Sequence, residues 1–206
     1  MKSIKNIQEV VGRKSFMDFM IAMNGFADLK EWSEVGGMLN LVRKLLTVFD
    51  PDDMIDVGCG QRPTLAALLA LNYGSETRII SAIDPQLGLE YGQNLSSYYA
   101  YKMKLGEWWR EYNKYRHLFT RENHRLLIIS NHGHVKPQEV DKFISESVYG
   151  RWVYVTCPCC VDNRLTNRRS IHFEDQHMNT PKNKIYIYAD DSTFEDIAKI
   201  RFERKK

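Results

Sequence analysis

The sequence is short of cysteine, of proline and of long apolar runs. Its four cysteines are Cys59, Cys157, Cys159 and Cys160. Three of them crowd into one short segment, a poor layout for a disulfide framework and a fit to a reducing compartment. No stretch reaches the roughly 18 apolar residues that a bilayer crossing needs, so no membrane partner is expected. Residues 1–16 scatter charges among their apolar side chains and lack the continuous apolar region of a secretory signal. The expected location is cytoplasmic, or the host cytoplasm or virion if the chain is viral. A dominant charge sign is missing too. Lys plus Arg number 29 against 26 Asp plus Glu, a net charge of +3. That permits an anionic partner without requiring one. Internal repeats and low-complexity segments are absent. The 206 residues suit one core with a small extension.

What is present is a pattern of alternating elements. Residues 1–50 read as a helical extension packed on the core. Ile4, Ile7, Val10 and Val11 recur at helical spacing, as do Phe16, Phe19, Met20 and Met23. After the Asn24-Gly25 break, Trp32, Val35, Met38, Leu39, Val42, Leu45 and Leu46 resume the stripe. Asp50 to Asp53 is a stop and turn, and residues 51–206 form the main domain. Met54 to Val57 reads as a buried strand, Gly58 to Pro63 as a loop, Thr64 to Leu71 as an apolar helix ended by Gly74, and Thr77 to Ile83 as a second strand. This is the length expected of a crossover unit. Residues 86–124 are read mostly as helix, with a short strand near Tyr115 to Phe119. Arg125 to Ser130 is a strand, Pro137 to Val148 a helix, and Arg151 to Thr156 a strand. Pro158 to Thr180 is expected to be irregular. Lys184 to Ala189 and Ile197 to Glu203 are expected to pair as strands at the C-terminal edge.

Strands alternating with helices predict an α/β fold: a Rossmann-like, mostly parallel central sheet flanked by helices, with a C-terminal antiparallel strand pair and an N-terminal helical extension. Such sheets bind ligands beyond the carboxyl ends of their strands. Here those ends are Asp56 to Gly60, Asp84, Asn131 to His134, and Cys157 to Cys160, the most chemically unusual segments of the chain.

Gly58 and Gly60 allow a sharp turn and a close backbone approach. Asp84, 24 residues after Gly60, ends the second strand. An acidic group there can accept both hydroxyls of a ribose. Ile55-Asp56-Val57-Gly58-Cys59-Gly60 resembles the first motif of the class I S-adenosylmethionine-dependent methyltransferases. The similarity runs on through Pro63, the apolar helix and Asp84-Pro85. It implies S-adenosylmethionine as cofactor, bound by Asp56, Gly58, Cys59, Gly60, Asp84 and Pro85. Gly58 and Gly60 would line the methionine portion, Asp84 would hold the ribose, and Asp56 would orient the loop or the amino group. Many members carry a third glycine where Arg62 stands. The third strand is not placed by the sequence. A nicotinamide site would want that third glycine for close helix packing, so it fits less well.

Methyl transfer from a sulfonium asks mainly for positioning, with a base where the acceptor is protonated. Asn131, His132 and His134 are candidates on the fourth-position strand end. Asn131 would hydrogen-bond an amine or hydroxyl, and either imidazole would serve as base. The plain alternative is a loop whose histidines are solvated or cap the next helix. At Thr156-Cys157-Pro158-Cys159-Cys160 several readings stand. Thr156-Cys157 is similar to the Thr-Cys motif of RNA cytosine-5 methyltransferases, where the thiolate attacks the ring, although the companion Asp-x-Pro-Cys segment is missing. Pro158-Cys159-Cys160 looks like a segment of some RNA-modifying methyltransferases. Zinc with His132, His134, His172 or His177 fits no standard spacing, and no metal ligand is assigned. Inert thiols in a turn are the remaining reading.

RNA is the candidate partner. Lys102, Lys104, Arg110, Lys114 and Arg116 lie among tyrosines and tryptophans, and Arg164, Arg168 and Arg169 lie beside the cysteines. Basic groups meet phosphates while rings stack on bases. An amphipathic helix with its rings in the core explains the first cluster equally. The expected function is methyl transfer to RNA or a nucleotide-like acceptor. Alternatives are a small-molecule methyltransferase, or a non-catalytic domain that binds a protein partner in a complex. The absence of an Asn-Pro-Pro-Tyr acceptor motif keeps the last open.

Overall fold

A computed structural model describes residues 29–114, 124–147, 150–158, 162, 164–175, 178 and 183–202. Twelve elements follow one another: α1 (Leu29–Leu45), β1 (Asp53–Val57), α2 (Thr64–Tyr73), β2 (Ile79–Ile83), β3 (Tyr98–Tyr101), α3 (Leu105–Lys114), β4 (Arg125–Asn131), α4 (Pro137–Ser147), β5 (Arg151–Cys157), β6 (Ile171–Glu174), β7 (Lys184–Ala189) and α5 (Asp191–Ala198).

The strands form one seven-stranded sheet in the order β3-β2-β1-β4-β5-β7-β6. β3, β2, β1, β4 and β5 are parallel neighbours. β7 runs antiparallel to both β5 and β6. The first crossover leaves β1 to one side and the chain later returns to its other side at β4. That reversal opens a crevice above the β1 and β4 carboxyl ends.

The apolar runs of the inner strands follow from burial on both faces. In β4, Leu127 and Ile129 join Met38, Leu68 and Val42 in one core layer. Leu126 and Ile128 join Trp108, Val140 and Phe143 in the other. Helices α1 and α2 cover the first face, and α3 and α4 the second. Trp108 sits edge-on between Tyr101 and Phe143, with centroids 6.0 and 5.8 Å away. That contact places part of the aromatic stripe of α3 in the core.

Three expectations are corrected. Residues 86–124 are not mostly helix: Tyr98–Tyr101 is β3, paired with β2 from Ile80↔Tyr98 to Ile83↔Tyr101. The helical part begins only at Leu105. Ile197 to Glu203 does not begin as a strand, because residues 191–198 are α5. Its start is set by Asp190, whose side chain accepts the Thr193 N–H at 3.0 Å, a standard N-cap contact. The partner of β7 at the edge is instead β6, drawn from the segment read as irregular. The strand expected near Tyr115 to Phe119 and the stripes of residues 1–28 lie outside the described residues. No helix among the described residues is long and apolar enough to cross a membrane.

Candidate active site

The loop after β1 is built by two glycines in left-handed backbone, Gly58 at φ 71° and Gly60 at φ 74°. Only glycine adopts this conformation without strain. A Cβ on Gly58 would lie 2.8 Å from Gly133 Cα and 3.0 Å from His134 N. The β1 and β4 loops therefore interlock through a pair of glycines. A Cβ on Gly133 would strike Ser130 Oγ and come within 2.7 Å of Val57 O. At Gly60 a Cβ would meet nothing within 4 Å.

Asp84 closes this loop from the β2 end. Its Oδ2 accepts the Gly60 N–H at 3.0 Å and its Oδ1 accepts the Gln86 N–H at 2.7 Å. Each carboxylate oxygen has a further lone pair available for a ligand hydroxyl. Gly58 N–H donates to Ile83 O at 2.9 Å, and Gly88 N–H to Gln61 O at 2.9 Å. Those bonds tie the two strand ends together. Pro85 lies beside Asp84 in the cleft wall.

Asp56 is 2% exposed. Its carboxylate accepts the backbone N–H of Ala66, in the first turn of α2, where donors lack intrahelical partners. Burial pushes its carboxyl up to about 7, opposed by that hydrogen bond and reinforced by the charge of Asp84. The half-buried Cys59 thiol is pushed up as well, by burial and then by Asp56 and Asp84. Thus Asp56 is buried at the foot of the loop and Cys59 is half-buried within it. Gly58, Gly60, Asp84 and Pro85 face the cleft.

The cleft encloses about 370 Å³, within the range of small-molecule sites. One wall is the β1 loop and Asp84. Met103, Leu105 and Val135 add apolar surface, and His132, His134 and Lys136 stand on the β4 side. A second groove of about 420 Å³ continues from it between α3 and α4, sharing Lys104 and Glu139 and lined further by Trp109, Arg110, Lys142 and Phe143.

The remaining candidates fall as follows. Asn131 ends β4 beside Cys157, its register partner. Its Oδ1 is buried without a hydrogen-bond partner among the described residues. Cys157 is fully buried and lies behind His132 rather than in the cleft wall, with Sγ 3.7 Å from His132 Nε2. Cys159, Cys160, His177, Arg116 and the side chain of Lys114 lie outside the described residues. Among the described residues no group of three His, Cys, Asp or Glu is placed to hold a metal ion. Lys102 is exposed on the loop between β3 and α3. Arg164 pairs with Asp162 and lies over Tyr186. Arg168 reaches Asp141 and Ser145 over the Trp152 ring. Arg169 pairs with Glu195 over Phe194.

One site residue escaped the sequence. Glu34 on α1 reaches His132, with Oε1 3.3 Å from Nε2. The signal was a carboxylate in a helical stripe shared with Met38, Leu41 and Leu45, all buried.

Fold comparison places this arrangement among solved structures. A mutant of MtNAS, a nicotianamine synthase, in complex with S-adenosylmethionine superimposes with a TM-score of 0.51 at 13% identity, over 91% of this chain and 70% of that one. MtNAS in complex with MTA and tNA gives a TM-score of 0.50 at 11% identity, over 91% and 68%. At this identity the likeness is one of fold: a Rossmann-like α/β sheet, mostly parallel and flanked by helices. An rRNA methylase from Streptococcus thermophilus aligns at a TM-score of 0.41 and 13% identity, over 74% of this chain and 94% of that one. A scan of protein-family models gives no match, and neither does a search of curated proteins. Within this fold, the cleft occupies the crevice where the order of strands reverses.

Proposed function

We propose that the chain is an S-adenosylmethionine-dependent methyltransferase acting on RNA or a nucleotide-like acceptor. One observation carries the reading. The Gly60 N–H and the Asp84 carboxylate, from the ends of neighbouring strands, meet at 3.0 Å on the rim of one cleft. A nucleoside laid there finds a carboxylate for its ribose and apolar walls at Met103, Leu105 and Val135 for its base. The open space above Gly60 leaves room for the amino-acid portion. When bound, S-adenosylmethionine supplies a sulfonium-activated carbon, so the protein's share of the work is binding, alignment and proton removal. His132 and His134 line the same cleft and would meet an acceptor there.

The acceptor class is supported by the groove that continues from the cleft. Lys104, Arg110 and Lys142 line it together with Trp109 and the carboxylates of Glu107 and Glu139, and Lys142 Nζ lies 5.7 Å from the Trp109 ring centroid. Cations beside an aromatic face suit phosphates beside bases.

Calorimetry with S-adenosylmethionine and S-adenosylhomocysteine tests the cofactor, with Asp84→Ala as control. Binding by the wild type and at least a tenfold loss in the variant are expected. A wild type that binds neither ends the enzyme reading. Transfer of labelled methyl to total RNA, set against small-molecule extracts, then separates the acceptors. The nucleoside product identifies the carbon attacked. S-adenosylhomocysteine marks methyl transfer, and a methylthio nucleoside marks attack on the amino-acid side of the sulfur.

A further inference from the structure

The cleft and the groove beside it share two lining residues, Lys104 and Glu139. Lys104 ends the loop before α3, and Glu139 stands in the first turn of α4. The two helices pack on one another through Trp108 and Phe143, with ring centroids 5.8 Å apart. A group that passes from the groove into the cleft therefore meets one ammonium and one carboxylate at the junction.

The charges of the groove do not all suit a polyanion. Lys104, Arg110 and Lys142 attract phosphates, and Glu107 and Glu139 repel them. Glu107 has a task within the fold: its Oε2 accepts the Lys104 N–H at 3.1 Å, at the start of α3. Glu139 has none of that kind. Its backbone N–H donates to Lys136 O at 3.0 Å. Among the described residues, though, no hydrogen bond or ion pair engages the carboxylate of this half-buried residue. An acid in a first helical turn is favoured by the helix dipole. That benefit accounts for the charge but not for its place. Gln138, exposed in the same turn and lining neither cavity, could carry an acid at no cost to a phosphate path.

An ionised carboxylate only accepts hydrogen bonds. Single-stranded RNA is read through the edges of its unstacked bases. Adenine, cytosine and guanine each present an exocyclic amino group there, and a carboxylate takes such a donor, as it takes the amino group of cytosine. Uracil has no amino group. Its one ring N–H on that edge lies between two carbonyl oxygens, whose lone pairs oppose those of a carboxylate. We infer that Glu139 is a specificity-determining residue that accepts a hydrogen bond from the exocyclic amino group of the acceptor base, so that the acceptor is an amino-bearing base and not uracil; the role rests on the RNA methyltransferase reading. Lys104, the other residue at the junction, is left for the phosphate of the same nucleotide.

Total RNA is methylated with labelled S-adenosylmethionine at saturating concentration, digested to nucleosides and counted by base. In the wild type the label should fall on adenosine, cytidine or guanosine, with uridine lower by at least about tenfold, the size of one mismatched base contact. Glu139→Ala should reduce the label on that base by at least about tenfold. Glu139→Gln should lose clearly less, because its amide oxygen still accepts from an amino group. A role confined to the helix dipole or to net charge predicts the opposite order of evidence: glutamine is as uncharged as alanine, so both variants would fall alike. Label on uridine in the wild type, labelled small molecules with no labelled RNA, a loss under about threefold in Glu139→Ala, or equal losses in the two variants each overturn the assignment. A wild type that binds no S-adenosylmethionine by calorimetry instead removes the methyltransferase reading, and the role of Glu139 with it.

Discussion

Gly58 and Gly60 share a positive φ, yet a methyl group added to each meets different surroundings. Gly60→Ala places its Cβ in open space, so only backbone strain of about 1–2 kcal/mol applies. Gly58→Ala adds the same strain and drives its Cβ into Gly133 and the His134 N–H. Urea unfolding should therefore rank Gly58→Ala as the more destabilised by at least about 1 kcal/mol, with overpacking as the cause. Equal losses would mean that the two loops do not interlock. Asp56 gives a second test at this scale. Its carboxyl titrates at about 7 in the folded protein against 3.8 for the ordinary group. The folded state thus keeps a proton that the unfolded chain has lost. Stability from this group is complete below the unfolded value, and it is lost as pH rises through about 7. Asp56→Asn should flatten that part of the profile, so its Tm should fall less than the wild type's between about pH 5 and pH 8. Parallel profiles would refute the shift. At the residue scale the sequence was legible where chemistry and spacing coincide, as at Gly58, Gly60 and Asp84. Glu34 was hidden because its partner lies far along the chain and only the fold brings them together.

Asp190 governs the last stretch of the chain. It caps α5 through the Thr193 N–H at 3.0 Å and also accepts the Trp152 N–H at 2.9 Å, so one carboxylate joins a helix start to the start of β5. Burial alone would raise its carboxyl. Hydrogen bonds from Ser192, Thr193 and the two backbone N–H groups hold it below the ordinary range. A lowered value means that this contribution is present above the unfolded pKa of about 4 and is lost as pH falls below it. Asp190→Ala should cost about 1–2 kcal/mol at neutral pH by denaturant titration, from the lost cap and the uncovered N–H. A loss below about 0.3 kcal/mol would deny the cap. The same contact explains why Ile197 and its neighbours are helical although they read as a strand. Ile197, Ile200 and Phe202 alternate poorly once Asp190 has fixed the helical phase, and Ile197 points into the core. β3 and β6 escaped for a related reason. Each has four residues, too few for periodicity to distinguish, and each is specified by its neighbour in the sheet. The long inner strands β1, β4 and β5 were legible because burial on both faces writes a continuous apolar run.

Across the described residues, two pairs of cations stand in different settings. Arg168 and Arg169 hold Asp141 and Glu195 while lying over Trp152 and Phe194. Their guanidinium groups join α4, α5 and the β5–β6 connection. Arg110 and Lys142 instead line the groove that continues from the cleft. If an RNA strand follows that groove, the double variant Arg110→Glu/Lys142→Glu should bind single-stranded RNA at least tenfold more weakly. It should also reduce the salt slope of the affinity by about 1–2, because each lost phosphate contact lowers the slope by about 0.7 on a single strand. Its affinity for S-adenosylmethionine should be unchanged, since neither side chain lines the cleft. Arg168→Ala/Arg169→Ala should do the reverse, lowering Tm through lost ion pairs and ring contacts while leaving RNA affinity within about twofold. Fluorescence anisotropy over a salt series separates the two. If the second pair of substitutions carries the loss of affinity and the first does not, the acceptor path runs over the β5–β6 side of the molecule and not between α3 and α4.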